Sequence, residues 1–167
     1  MVQRDGMIVG YAALAIVIHV LEAGLPSPVP GIKPGLANVI TLLVLCRHGW
    51  RAAAWVAGLR VLVSALLLGT FLSPTFILST GGAVASLAGL GLLHSLNRVT
   101  PLFSAYGLGM LSACCHIGGQ FLLAWWLFVP HPGLLALLPV LGTAALAFGL
   151  VSGWLTLRLN RLMPPST

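Results

Sequence analysis

The sequence predicts an all-α, polytopic membrane protein with six transmembrane helices, the second of them short. Three observations predict it. Of 167 residues, 59% are hydrophobic and only 6% charged, and the mean hydropathy is +1.06, whereas soluble domains carry about 25% charged residues. Apolar runs of roughly helical-span length alternate with Pro- and Gly-rich breaks. The basic residues stand singly between those runs, which fits membrane orientation better than a nucleic-acid surface. The length accommodates one integral membrane domain covering residues 1–167, with the bilayer as its solvent.

Each span follows from its punctuation. The first apolar run, Met7–Ala23, is too long for a signal-peptide core and reads as a retained helix. It ends in the Pro-rich segment Leu25–Pro34. The second, Gly35–Cys46, covers only ~18 Å at about 1.5 Å per residue, a half-span. The third is Arg51–Leu72. Ser73-Pro74 then supplies an N-cap and a proline at the first helical position, and the fourth helix follows as Thr75–Leu96. Thr100-Pro101 repeats the signal before the fifth, Leu102–Phe128. Pro130-His131-Pro132-Gly133 is a turn, and Leu134–Leu159 is the sixth, with Pro139 near its start.

An even number of spans puts both termini on one side. Arg4, Arg47, Arg51, Arg98, Arg158 and Arg161 fall on that side and Lys33 on the other, so the positive-inside rule makes the termini cytoplasmic, in a bacterial inner membrane. Trp50 and Trp154 belong to the inner aromatic belt, Trp125, Trp126 and Phe128 to the outer. Gly6 with Gly10, Ala53 with Ala57, and Ala145 with Gly149 and Gly153 stand at close-packing spacing, either within the bundle or against another membrane subunit. Cys46, Cys114 and Cys115 form no CxxC pair and suggest no disulfide framework.

Two acidic residues, Asp5 and Glu22, exclude whole classes of chemistry. Mg²⁺-dependent prenyl or phosphoryl transfer needs clustered carboxylates, and ordinary glycosidases need a carboxylate pair. The chain is therefore expected not to be an enzyme, to hold no metal, and to bind no nucleic acid. No G-x-x-x-x-G-K-[ST] occurs, so any ATP drive comes from another chain.

Ionisable groups within a bilayer are costly and mark function. Counting the helical rise places Arg60 near the midplane, and His19, Glu22, Asn38, Thr41, His116 and Gln120 in the outer half, with Lys33 just outside. His116 and Gln120, four apart, share a helix face, as do His19 and Glu22, three apart. The second helix also begins there, and its free N–H groups favour anions. Convergence of these eight residues predicts an outward-facing pocket for an anionic or polar small molecule. Each also has a plainer use: mutual neutralisation of Glu22 and Arg60, a backbone partner for His19, an inter-helix clamp of His116 with Gln120, capping or back-bonding by Asn38 and Thr41, and a solvated loop position for Lys33.

The stretches Pro30–Leu42, Gly69–Phe76 and His116–Gln120 resemble the Gx transporters, also labelled heptaprenyl diphosphate synthase component I, over approximately residues 10–155. Ile117 stands where that family often has Asn. The family is similar to substrate-binding S components of energy-coupling-factor vitamin transporters. The resemblance implies an S-component-like six-helix bundle, a ligand site under the first loop, and company with flavin-linked redox proteins. The synthase label conflicts with the chemistry, since Asp-rich Mg²⁺ motifs are missing from a chain with one Asp. The leading expectation is a membrane solute-binding or transport subunit with no resident cofactor, its ligand related to flavin, quinone or isoprenoid metabolism. The alternative is a non-transporting membrane subunit of a quinone- or flavin-linked electron-transfer complex, with His116 and Gln120 in a quinone pocket. Haem ligation by His19 and His116 is the weaker redox reading, and a purely structural anchor is a third possibility.

Overall fold

The computed structural model describes residues 2–24, 36–99 and 103–163, and it is helical throughout its regular elements. The six helices are α1 (Val2–Gly24), α2 (Leu36–His48), α3 (Trp50–Leu67), α4 (Pro74–Val99), α5 (Ala105–Leu123) and α6 (Leu138–Leu162). Five helical segments are long and apolar enough to cross a membrane, and α2, at 13 residues, is the exception. Lys33, the Pro-rich segment and the Thr100-Pro101 start signal lie outside the described residues.

The short helix is the centre of the bundle. Ala37 and every residue from Val39 to Leu45 are buried. A helix apolar on all sides must be wrapped on all sides, and α1, α3, α5 and α6 all pack on it. Ala12 and Ala15 of α1 and Ala52, Ala53 and Val56 of α3 join its Ile40, Leu42, Val44 and Leu45 in one core cluster. The longer helices keep an outward apolar face: Val17, Leu21, Trp55, Leu66, Leu122 and Trp126 are exposed, as a lipid-facing surface requires.

Polar links between helices fix which ends lie together. Tyr11 Oη reaches Met163 Sδ at 3.8 Å, Arg47 Nη1 donates to Asn160 Oδ1 at 3.2 Å, and Trp50 Nε1 donates to the Leu87 carbonyl at 3.1 Å. These contacts gather the middle of α1 and the start of α3 with the ends of α2 and α6 and the middle of α4. The ends of α1 and α3 and the start of α4 therefore form the opposite end. The closest packing lies among α4, α5 and α6. The row Ala145, Gly149, Gly153 is buried against α5, and Ala53 and Ala57 are buried in the core, so both rows serve the bundle itself. A Cβ on Gly6 or Gly10 would meet nothing within 4 Å among the described residues.

Of the boundaries that differ from the sequence expectation, three have a local reason. The third helix was expected to run to Leu72 but stops at Leu67. Gly69 takes φ +66 and Thr70 N donates to the Ala65 carbonyl at 2.9 Å, a six-to-one C-terminal closure. The end of the fifth helix widens into a π-turn over Ala124–Phe128, closed by Val129 N to Ala124 O at 2.8 Å. Before α6, Pro132–Leu137 form a 3₁₀ turn, capped by His131 Nδ1 accepting from Gly133 N at 3.0 Å. The Ser73-Pro74 start is as expected: α4 begins at Pro74, and Ser73 Oγ accepts from Phe76 N at 3.3 Å.

The positive φ at Gly69 gives a direct test. Gly69→Ala should lower the thermal midpoint of purified protein, because a left-handed Cβ costs roughly 1–2 kcal/mol. Gly58 sits in the interior of α3 with open space around it, and Gly58→Ala should raise the midpoint, since glycine in a helix costs roughly 0.5–1 kcal/mol relative to alanine. Equal shifts in the same direction would contradict the described loop.

Candidate functional site

Two polar assemblies lie in the half of the bundle away from the termini. The first is buried between α1, α2 and α3. Arg60, mid-way along α3 and only 4% exposed, donates from Nη1 to Asn38 Oδ1 at 2.9 Å. Glu22, also 4% exposed, accepts at Oε2 from the backbone N–H of Ala37 at 3.4 Å. The two charges lie within electrostatic reach of one another. Glu22 thus meets the first described turn of α2. Its carboxylate stands where the free N–H groups of a helix start favour negative charge, so the protein supplies an anion of its own there.

Around this core sit further polar groups. His116 of α5 is within electrostatic reach of Arg60 and of His19, and it lies against the backbone of Gly82 in α4. Gln120 packs on the same glycine: a Cβ there would stand 2.8 Å from Gln120 Cγ and 2.9 Å from His116 Cε1. The expected shared face of His116 and Gln120 is therefore present and is turned toward α4. Among the described residues, Thr41 Oγ1, Arg60 Nε and His116 Nδ1 are buried without hydrogen-bond partners. Such orphans are costly in a low-dielectric interior and call for water or a ligand.

The second assembly is a cavity of about 250 Å³ between α1, α3 and α4. Its walls are His19 and Ala23 of α1, Val61 and Ala65 of α3, Leu68 and Thr70 of the following loop, and Thr75, Phe76 and Ser79 of α4. Of the eight residues expected to line a pocket, His19 is in this wall. Asn38, Thr41, Arg60, His116, Gln120 and Glu22 are not among its lining residues, and Lys33 lies outside the described residues. Arg60 and Glu22 nevertheless adjoin it through their chain neighbours Val61 and Ala23.

Thr70, Thr75, Phe76 and Ser79 were not anticipated as site residues. A signal was present. Gly69–Phe76 is one of the distinctive stretches of the chain, and Thr75 and Ser79 are four apart on one helix face. Local backbone chemistry sets the wall. The closure at Gly69 and the Ser73 cap, whose hydroxyl also donates to the Thr70 carbonyl at 2.6 Å, fold the loop over the ends of α3 and α4. Phe71 then packs on Phe76, ring centroids 5.0 Å apart.

Comparison with known proteins identifies the family. The family model described as heptaprenyl diphosphate synthase component I matches residues 11–159, and the chain belongs to that family. No curated relative and no solved structure matches it.

Proposed function

We propose that this family member is a membrane-embedded small-molecule binding or transport subunit, resembling an energy-coupling-factor S component, and not an enzyme. The observation that carries the proposal is the cavity of about 250 Å³ at the end of the bundle opposite the termini, with one imidazole and three hydroxyl side chains in an otherwise apolar wall. Such a mix of apolar surface and a few placed polar groups is how ligand pockets are built. The adjoining Glu22, Arg60 and Asn38 layer adds buried, hydrogen-bonded polar groups of the kind that mark function inside a bilayer. A partner subunit supplies any energy for transport, since the sequence carries no phosphate-binding loop. The termini face the cytoplasm of a bacterial cell and the cavity faces outward, as the distribution of arginines favours.

Two measurements test this reading. Small molecules co-purifying with the wild-type protein are identified by mass spectrometry, and the same is done for Ala65→Phe, which fills the cavity from a wall position that is 6% exposed. A compound retained by the wild type and lost from the variant is expected. Retention by both variants, or by neither, removes the cavity from the function. Orientation is read with single cysteines placed at Leu72, 71% exposed in the α3–α4 loop, and at Ser95, exposed near the far end of α4. In intact cells an impermeant maleimide should label the first and spare the second.

A further inference from the structure

We infer that the cavity between α1, α3 and α4 takes an uncharged, ring-containing molecule of fragment size that carries a hydrogen-bonding group, and that it rejects anions. The inference rests on the binding role proposed above and narrows the chemistry of the ligand. Four observations carry it.

The wall holds no Lys, Arg, Asp or Glu among the described residues. Its polar members are His19 and the side chains of Thr70, Thr75 and Ser79, which offer dipoles that donate and accept rather than a fixed charge. The adjoining charges are already matched. Arg60 is committed to Asn38 with Glu22 nearby, and Glu22 is committed to the Ala37 N–H. Arg60 already faces a carboxylate, with only its Nε lacking a hydrogen-bond partner among the described residues, and the helix start that would attract an anion holds a carboxylate of the protein.

The backbone field points the same way. The cavity is lined from the C-terminal parts of α1 and α3 and from the start of α4, and the nearby start of α2 faces the Glu22 carboxylate. Helix C-termini carry partial negative charge and N-termini partial positive. Of the positive ends, that of α2 is met by Glu22 and the Phe76 N–H of α4 by Ser73, which leaves the negative ends of α1 and α3 to set the field. An anion entering here loses its hydration against an unfavourable field with no cation in the described wall to meet it. A cation meets the better field, yet no lining carboxylate repays its desolvation.

Size and shape complete the argument. A volume of about 250 Å³ falls just under the ~300–1,000 Å³ of drug-sized pockets. Phe76, packed on Phe71 in a tilted pair, lines the cavity together with Val61 and Ala65, a wall suited to the face or edge of a ring.

The test uses three probes with one ring and different charges: 2-phenylacetamide, phenylacetate and 2-phenylethylammonium. Ser79→Cys is made in a background with Cys46, Cys114 and Cys115 replaced by alanine, and alkylation by N-ethylmaleimide is timed on the purified protein. The amide should slow alkylation at least about threefold at a concentration where both charged probes leave it unchanged, since the rate falls as occupancy rises with 1 + [L]/Kd. Leu72→Cys, outside the cavity wall, should be indifferent to all three. Protection by phenylacetate or by the ammonium equal to that by the amide overturns the inference and leaves the binding role standing. Absence of protection by any probe, or equal slowing at Leu72→Cys, overturns the binding role together with it.

Discussion

Gly149→Leu is expected to abolish recovery of monodisperse protein, and Gly149→Ala to lower its thermal midpoint, while Gly142→Ala on the same helix raises it. The reason is the backbone-to-backbone approach of α5 and α6. A Cβ built on Gly149 would stand 2.6 Å from Met110 Cα and 2.9 Å from the Gly109 carbonyl oxygen. From the other side, a Cβ on Gly109 would stand 2.4 Å from the Gly149 carbonyl oxygen. Gly153 makes the same approach to Ala105 and Tyr106, with 2.7 Å to each. These neighbours are main-chain atoms, so no side-chain rotation relieves the overlap, and the two helices must separate along their length. Overpacking costs typically 1–3 kcal/mol and occasionally more. That exceeds the ~0.8–1.0 kcal/mol that alanine gains over glycine in a helix interior. In lipid there is little water-driven pull to restore the contact, because association rests on this close packing. Gly142 has nothing within reach of a Cβ, so only the helix-propensity gain remains there. Size-exclusion chromatography and thermal melts in one detergent give the comparison. Identical behaviour of Gly149→Ala and Gly142→Ala would show that α5 and α6 do not meet as described.

That interface was partly legible in the sequence, and the way it was legible explains what the site reading missed. The spacing Ala145, Gly149, Gly153 identifies a helix face made for close approach, yet spacing alone does not name the surface that approaches. The partner on α5, Gly109, emerges only from the packing. The same limit governed the pocket. Depth along a helix follows from a fixed rise per residue, which drew His19, Glu22, Asn38, Arg60 and His116 to one region, and Arg60 meets Asn38 and lies within electrostatic reach of Glu22 and His116. The direction around each helix axis depends on its neighbours. Asn38 and Arg60 turn toward one another, His116 and Gln120 turn toward Gly82, and the cavity opens instead between His19 and the hydroxyls of α4. Thr75 and Ser79 drew no notice because Ser and Thr are common in membrane helices, where they usually bond back to their own backbone, as Thr80 does with the Phe76 carbonyl. The early end of α3 was hidden for a similar reason. Leu66, Leu67 and Leu68 continue the apolar run, and a single Gly69 inside it reads as tolerable until its φ is known.

The buried charges give the second large effect, and it should be unequal. Glu22→Gln is expected to cost more folded protein than Arg60→Gln, and the double substitution should recover much of the loss. Both groups are buried and lie within electrostatic reach of each other, so removing either leaves an uncompensated charge in the membrane interior. Breaking a buried pair costs ~3–5 kcal/mol, and a lone charge at a helix centre in lipid ~2.5–3.5 kcal/mol on insertion scales. The two single variants differ in their means of escape. A stranded carboxyl can bind a proton and become neutral, whereas a guanidinium stays charged. In Arg60→Gln, Glu22 also keeps the Ala37 N–H as a donor to its oxygen. In Glu22→Gln, among the described residues Arg60 keeps the neutral Asn38 oxygen as its side-chain hydrogen-bond partner, and its positive charge has no counter-charge there. The double variant removes both charges and retains amide groups that can bond to Asn38 and to the start of α2. Expression level and thermal midpoint, measured for the wild type, the two single variants and the double, form a complete cycle. A coupling energy near zero would mean that the two groups do not compensate one another. A larger loss in Arg60→Gln than in Glu22→Gln would show that the guanidinium serves the fold through Asn38 and α2 more than through the carboxylate.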